Sequence, residues 1–250
     1  MSSSVIYHRV LVKISGEALK GKENLGYDAE AVRQIVKTLA GVLDSGVELA
    51  LVVGAGNLWR GAVGKAVGMD AVSADYMGML GTVMNAIILK DAFEANGVPC
   101  DVLTSFAMEP VGELFERSKA VKRLEEGRVV ICAGGTGHPF FTTDTTAALR
   151  ALEIDAEAVL KATKVDGVYT DDPMKNPAAK RYERLSYDEA LKNNLKVMDS
   201  TAFSLCRDNN LPIIVFNFAE SGSLAKVLSG DTSSATVVSN QPPPPQGHTS

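Results

Sequence analysis

The chain has 250 residues, of which 46% are hydrophobic and 22% are charged, as in globular proteins with a substantial core. Its formal net charge is -5, whereas a duplex-binding surface normally has a basic excess, so we expect no nucleic-acid polymer as a partner. The three cysteines, Cys100, Cys132 and Cys206, form no CxxC pair, which argues against a disulfide framework or zinc site and favours a reducing cytoplasm.

No targeting or membrane-spanning segment is expected. The first residues, MSSSVIYHRVLVK, lack the basic and apolar regions of a signal peptide. The most apolar long stretch, MGMLGTVMNAIILKDAF, is interrupted by Asn85, Lys90 and Asp91. The last ten residues are Pro-rich, so we predict one domain over residues 1–240 and a disordered tail over residues 241–250.

Apolar runs alternate with helical patterns along the chain. A helix is predicted over Asp28–Ser45, with Asp28 as its N-cap and Gly46 as its stop, and others over Asp70–Ala95 and Gly112–Glu126. The apolar runs predict strands over Arg9–Ile14, Glu48–Val53, Cys100–Leu103, Val129–Cys132, Ala158–Ala162 and Ile213–Phe216. This alternation predicts an α/β fold with a mostly parallel sheet covered on both faces and ligands at the carboxyl ends of the strands.

The first Gly-rich stretch, KISGEALKGKE, follows a predicted strand. It differs from a phosphate-binding P-loop because Glu23 stands where the magnesium-binding hydroxyl is required. Lys13 is a better candidate for phosphate binding, because a lysine in an apolar strand is costly to desolvate unless an anion meets it. A lysine on an edge strand that reaches solvent is the alternative.

The second stretch, LVVGAGNLWRG, fails the dinucleotide fingerprint because Trp59 occupies the third glycine position. Its Gly-Ala-Gly turn can present backbone N–H groups to an anion, and Arg60 is suited to bidentate phosphate binding. A tight turn with a surface arginine is the other interpretation.

The third stretch, GGTGHPFFTTD, combines glycines and threonines with two phenylalanines before a predicted helix start near Asp144. Hydroxyls and free N–H groups at a helix start favour an anion, although Asp144 can equally be an N-cap. The fourth stretch, LKATKVDGVYTDDP, resembles a short acidic hairpin; Lys161 lies near a strand end, and Lys164 is a weaker candidate cation.

Taken together, these stretches resemble the bacterial UMP kinases (uridylate kinases) of the amino-acid kinase family. The resemblance extends over about residues 8–238 and includes DYMGMLGTVMN and LKVMDSTAF. It implies a three-layer αβα sandwich, transfer of a phosphoryl group from ATP to UMP with Mg²⁺ carried by ATP, and a homohexamer. GTP activation and UTP inhibition are further expectations, and no direct protein ligand to the metal is expected.

The resemblance also implies the site residues. Those expected at ATP are Lys13, Ile14, Ser15, Gly16, Gly56, Arg60, Thr163, Tyr169 and Asp172. Those expected at UMP are Ala55, Asp75, Thr136, Gly137, His138, Pro139, Phe140, Phe141, Thr142 and Thr143. The expected GTP-activation segment is Gly21, Lys22, Glu23, Asn24, Leu25 and Gly26.

For the transfer itself, Lys13 and Arg60 are expected to stabilise the transition state. Lys161 is a second candidate cation, and Asp144 and Asp199 are candidates for orienting lysines or magnesium-bound water. His138 is assigned no chemistry, although it lies within the UMP loop.

One residue departs from the family pattern, because Ala55 stands where a triple glycine is usual. We expect it to keep φ below zero, since a methyl group at positive φ costs roughly 1–2 kcal/mol. Two alternatives remain at this point: a relative that phosphorylates a carboxylate or carbamate, and a non-catalytic nucleotide-binding regulator.

Overall fold

The structure, a computed structural model, describes residues 5–240, so the predicted tail over residues 241–250 lies outside the described residues. Within this range the strands form one sheet in the order β4-β3-β5-β2-β1-β6-β8-β9-β7. All neighbouring strands are parallel except β8 and β9. The strands are β1 Arg9–Ile14, β2 Glu48–Val53, β3 Cys100–Thr104, β4 Glu113–Leu114, β5 Val129–Ala133, β6 Ala158–Thr163, β7 Arg184–Leu185, β8 Ile213–Asn217 and β9 Ala235–Val238.

Helices cover both faces of this sheet. They are α1 Ala29–Ala40, α2 Gly61–Ala66, α3 Ala71–Ala95, α4 Arg117–Glu125, α5 Thr143–Glu153, α6 Tyr187–Lys192, α7 Ser200–Asp208 and α8 Ser223–Leu228. Two short 3₁₀ helices, Gly16–Lys20 and Leu43–Ser45, follow β1 and α1.

The core is divided by the sheet, because successive strand residues point to opposite faces. One apolar cluster joins Val10, Val12 and Ile14 of β1 to helices α1, α3 and α8. The other joins Leu11 of the same strand to helices α4, α5, α6 and α7. The predicted three-layer αβα sandwich with a mostly parallel sheet is therefore confirmed.

Most predicted strands are present within one or two residues of their expected bounds, but three other predictions were wrong. The helix predicted over Asp28–Ser45 ends at Ala40, and a separate 3₁₀ turn precedes Gly46, although Asp28 does cap α1. The segment before Arg117 forms β4 instead of helix, because it pairs with the edge of β3. The short hairpin predicted after β6 is instead a longer loop, in which Tyr169 and Arg181 form an isolated antiparallel bridge.

Helix α3 is long and apolar enough, by length and composition alone, to cross a membrane. However, 44% of its apolar window is buried within the protein. Leu89 and Phe93 are fully buried in the core cluster of this face. Packing on the sheet therefore accounts for much of its apolar character. Asp70 caps this helix through its side chain.

Candidate active site

Two lysines and one aspartate form a partly buried ionic triad at the carboxyl end of the sheet. Lys13 of β1 is the direct register partner of Lys161 of β6, and both share the face on which α5 packs. Asp144 in the first turn of α5 lies between them, with each ammonium 2.8 Å from a different carboxylate oxygen. Strand β1 lies in the middle of the sheet, so the interpretation of Lys13 as a lysine on an edge strand was wrong.

The triad carries more positive than negative charge. Burial raises the pKa of Asp144, but the charges and hydrogen bonds of the two lysines outweigh burial and hold this pKa below its ordinary value. Burial is also the main cause that lowers the pKa of Lys161; Asp144 opposes this effect, and the Lys13 charge adds to it. Since two ammonium groups share one carboxylate, an incoming anion would be attracted to this point.

Asp144 is not the cap of helix α5. The Thr142 hydroxyl accepts the free N–H groups of Asp144 and Thr145, so the N-cap interpretation of Asp144 was wrong. A threonine at the cap leaves the Asp144 carboxylate free to face the lysines. The helix start nevertheless lies beside the triad, where its dipole favours negative charge.

Asp199 orients the same helix start without pairing with a lysine. Its carboxylate caps α7 through the N–H groups of Thr201 and Ala202. It also accepts hydrogen bonds from the hydroxyls of Thr142 and Thr145. Asp199 therefore acts on the triad through the threonines of α5.

A first cavity of about 360 Å³ includes Thr142 and Thr143, next to Asp144, in its lining. We call it the acceptor-side cavity because several residues expected at UMP line it. Its wall is formed by the Gly-Ala-Gly turn, one end of α3 and the start of α5. Among the residues expected at UMP, those that line this cavity are Ala55, Asp75, Phe141, Thr142 and Thr143. Those absent from the lining are Thr136, Gly137, His138, Pro139 and Phe140.

The loop before α5 is closed onto helix α3. The backbone N–H of Phe140 donates to the Asp75 carboxylate at 2.7 Å, and Phe140 adopts φ of 69°. A bulky residue with positive φ is uncommon and indicates local strain. Ala55, by contrast, is not one of the four non-glycine residues with positive φ in residues 5–240, so that prediction is confirmed.

A second cavity of about 770 Å³, which Lys13 and Lys161 line, lies between the strand ends, α1 and the residues after β8. We call it the donor-side cavity because several residues expected at ATP line it. Of the residues expected at ATP, Lys13, Ile14, Ser15 and Thr163 line it, and so does Lys164. Gly56 lines the acceptor cavity instead. Tyr169 and Asp172 are outside both linings; the Tyr169 hydroxyl donates to Asp166, and the Asp172 carboxylate accepts the Met174 N–H.

The two glycine loops approach each other between these cavities. A Cβ atom at Gly16 would lie 2.2 Å from the Gly54 carbonyl oxygen, so only glycine permits this contact. Arg60 is held over the same region by a 2.6 Å ion pair with Glu17. Its side chain is 60% exposed, so this pair is weak and a phosphate can replace Glu17.

Residues 8–217 match the amino acid kinase family. The chain belongs to the amino acid kinase family. It is similar to the UMP kinase from Bacillus anthracis, with 37% identity over 94% of this chain and 97% of that chain, and a TM-score of 0.91. It is also similar to the UMP kinase from Ureaplasma parvum, with 35% identity over 93% of this chain and 99% of that chain, and a TM-score of 0.88.

In this amino acid kinase family member, several polar residues near the site were not found by sequence reasoning. The buried amides of Asn57 and Asn85 bond to each other. The Arg150 guanidinium donates to the Ser105 hydroxyl, which lies 2.5 Å from the Gly135 carbonyl oxygen. Each of these four residues is ordinary in its local sequence, and only the fold brings them together.

The expected effector segment lies beside the second glycine loop. The Gly26 N–H donates to the Asn57 backbone carbonyl oxygen, and the Asn57 side-chain amide donates to the Gly26 carbonyl oxygen. Gly21 packs against Asp28. The residues between them, Lys22, Glu23, Asn24 and Leu25, are exposed. The structure therefore places this segment at the surface, one contact away from the Gly-Ala-Gly turn.

The carboxylates near the site are already engaged by protein donors, which limits their use as ligands for Mg²⁺. Within residues 5–240 no group of three or more His, Cys, Asp or Glu side chains is arranged to hold a metal. The Asp144 carboxylate is shared by two lysines, and Asp199 is held by hydroxyl and N–H donors. These residues fit a magnesium ion held mainly by the phosphate oxygens of ATP.

Proposed function

We infer that the protein is a UMP kinase, which transfers the γ-phosphoryl group of ATP to UMP and yields ADP and UDP. The observation that carries this conclusion is the Lys13–Asp144–Lys161 triad, whose lysines line the donor-side cavity and whose aspartate directly follows Thr143 of the acceptor-side cavity. Similarity to two UMP kinases over nearly the whole of each chain supports UMP as the acceptor.

Phosphoryl transfer requires positioning and charge neutralisation more than a covalent partner. We assign Lys13 to the transferring group, because its ammonium pairs with Asp144 and its side chain lines the donor-side cavity. Lys161 holds Asp144 in place and adds the second charge. Its ammonium is itself fixed by the Val197 carbonyl oxygen at 2.6 Å.

Arg60 has the reach and exposure to leave Glu17 and contact phosphates during transfer. The UMP phosphate is already an anionic nucleophile near neutral pH, so no general base is required. When Mg²⁺ is bound with ATP, it neutralises charge on the phosphate oxygens.

The acceptor is proposed to enter the cavity beside Asp75, with its phosphate toward the triad. The backbone and hydroxyls of Thr142 and Thr143 then face the phosphate, while Phe141 excludes water from the wall. Asp75 is available to the nucleoside once Phe140 releases it. The remaining residues of the loop, including His138, and the ATP contacts of Tyr169 and Asp172 stay part of this proposal.

A coupled assay of ADP release tests the proposal with UMP, CMP, acetylglutamate and carbamate as separate acceptors. We expect turnover with UMP, with UDP identified chromatographically as the product. Turnover with acetylglutamate or carbamate but not with UMP would assign the chain to another branch of the family. Binding of UMP and ATP without any product would instead favour a non-catalytic regulator.

We also propose a homohexamer, GTP activation, UTP inhibition and a cytoplasmic role in pyrimidine nucleotide synthesis. An exposed apolar face of α3 supports assembly, since large patches of this kind usually mark interfaces. It consists of Tyr76, Met77, Leu80, Met84 and Ile87. Three buried free cysteines agree with a reducing compartment.

Light scattering tests the assembly, with six times the 26.5 kDa chain mass expected for a hexamer. A monomeric mass would contradict it. The same UMP assay with added GTP or UTP tests the effectors, and unchanged rates with both would remove them from the proposal.

A further inference from the structure

Two buried asparagines lie directly beneath the glycine loops. Asn57 and Asn85 are both 0% exposed, and their amides bond reciprocally at 3.0 and 2.8 Å. The second N–H of Asn85 donates to the Gly54 carbonyl oxygen at 2.7 Å. The second N–H of Asn57 donates to the Gly26 carbonyl oxygen at 3.1 Å. Both hydrogens of each amide are therefore used.

This amide pair lies against the backbone of both glycine loops. Gly54 begins the turn that lines the acceptor cavity, and a Cβ atom at Gly16 would lie 2.7 Å from the Asn57 side-chain oxygen. Asn85 is carried by α3, the helix that also presents Asp75 to the acceptor. Donor loop, acceptor turn and acceptor helix thus meet at one pair of side chains.

We propose that Asn57 and Asn85 are positioning residues, which fix the separation between the donor phosphates and the UMP phosphate. This inference rests on the proposed function. Neither side chain lines a cavity, so the pair acts through the Gly54 and Gly16 backbone and contacts neither nucleotide. Since a shift of about 1 Å in reacting groups can cost roughly 100-fold in rate, the pair is expected to affect transfer more than binding.

The chemistry of the pair explains why both residues are amides. Each amide must donate twice and accept once, which a carboxylate or a hydroxyl cannot do in this arrangement. An apolar pair would fill the space but leave the Gly54 carbonyl oxygen buried without its side-chain donor. The backbone of the turn would then be free to relax away from Gly16.

The test compares Asn85→Ala, Asn57→Ala and the double variant with the wild-type chain at saturating UMP and MgATP. We expect kcat to fall roughly 10- to 100-fold in each, while separate calorimetric Kd values for UMP and for ATP change less than about threefold. The double variant should lose no more than the worse single variant, because the pair acts as a unit. Asn96→Ala, at the exposed end of the same helix, is the matched control and should retain wild-type kcat.

Thermal unfolding of each variant separates positioning from a purely structural role. A lowered Tm with unchanged kcat would overturn the inference, and so would a rate loss that excess UMP restores. If Asn85→Ala does not fold, Asn85→Ser, which retains a hydroxyl donor, is measured in the same way. A wild-type chain that makes no UDP would overturn the proposed function and this inference with it, whereas an active wild type with fully active variants overturns this inference alone.

Discussion

Lys13 is the residue on which the proposed transfer depends most directly. Lys13→Ala removes the ammonium that faces both Asp144 and the donor-side cavity. We expect kcat to fall roughly 10²–10³-fold, the scale for loss of one preorganised charge-stabilising group, with a much smaller change in UMP affinity. Steady-state kinetics and calorimetry check this, with Lys192→Ala, at an exposed position in the last turn of α6, as the control. Near-normal kcat in Lys13→Ala would contradict the assignment.

Ala55 and Gly81 are in close contact where the Gly-Ala-Gly turn approaches helix α3. A methyl group at Gly81 would lie 2.8 Å from the Ala55 Cβ, closer than carbon atoms tolerate. Gly81→Ala should therefore destabilise the fold by about 1–3 kcal/mol, although alanine normally favours a helix over glycine. Ala55→Gly in the same chain removes the clash and leaves the helical gain.

Urea unfolding of both single variants and the double variant measures this coupling. The double variant is expected to be at least as stable as Gly81→Ala alone and close to the wild type. If the changes in unfolding free energy of the two single variants simply add in the double variant, the contact between residues 55 and 81 does not limit how closely the turn approaches α3.

At the scale of elements, helix α5 is linked to both ends of the acceptor loop, residues 134–142 between β5 and α5. Arg150, a buried residue near its end, donates to the Ser105 hydroxyl, and that hydroxyl lies 2.5 Å from the Gly135 carbonyl oxygen at the loop start. Ser105→Ala leaves both partners unsatisfied, so we expect KM for UMP to rise roughly tenfold while KM for ATP stays nearly constant. Initial-rate kinetics measure both constants, and Ser204→Ala, at an exposed position of α7, is the control. Equal changes for both nucleotides would contradict a role confined to the acceptor loop.

Asp144 makes the attachment of α5 to the sheet dependent on pH. Because its pKa in the folded protein lies below the unfolded value of about 3.9, its stabilisation is complete above that value and is lost as pH falls through the folded pKa. Asp144→Asn should cost about 3–5 kcal/mol near neutral pH, where both lysines lose their partner.

Urea unfolding between pH 7 and about pH 2 should show a difference between wild type and Asp144→Asn that is constant above about pH 4 and shrinks below it. Asp188→Asn, at the exposed first turn of α6, is the matched control and should show little effect at any pH. A difference that is constant with pH would mean that the Asp144 charge contributes nothing to stability.

Sequence patterns predicted the elements that bury apolar faces, because periodicity reports burial directly. They predicted β1 and the α3 bounds well and singled out Lys13, which lines a cavity, whereas Asp75 was expected only from the family resemblance. Short edge elements such as β4 were missed because pairing with β3, not composition, makes them strands. The geometry of the triad could not be predicted from the sequence either, because it depends on the β1–β6 register that places Lys13 beside Lys161.

Across the whole molecule, donor and acceptor cavities open from the same edge of one sheet but have distinct linings. UMP should therefore stabilise the chain without ATP present, by about 2.7 kcal/mol at a concentration 100 times its Kd. Urea unfolding with UMP, with a non-hydrolysable ATP analogue and with uridine measures this effect. Uridine, which lacks the phosphate, should stabilise far less. Stabilisation by UMP only when the ATP analogue is present would contradict separate cavities.

The two lysines that share Asp144 also affect the choice of buffer in which nucleotide binding is measured. A cleft with an unbalanced cation attracts any small oxyanion, and sulfate or inorganic phosphate in a buffer would compete with the nucleotides for it. Apparent nucleotide affinities will then depend on the composition of the buffer as well as on its ionic strength. Measurements in a zwitterionic buffer with chloride as the counter-ion report the properties of the protein itself.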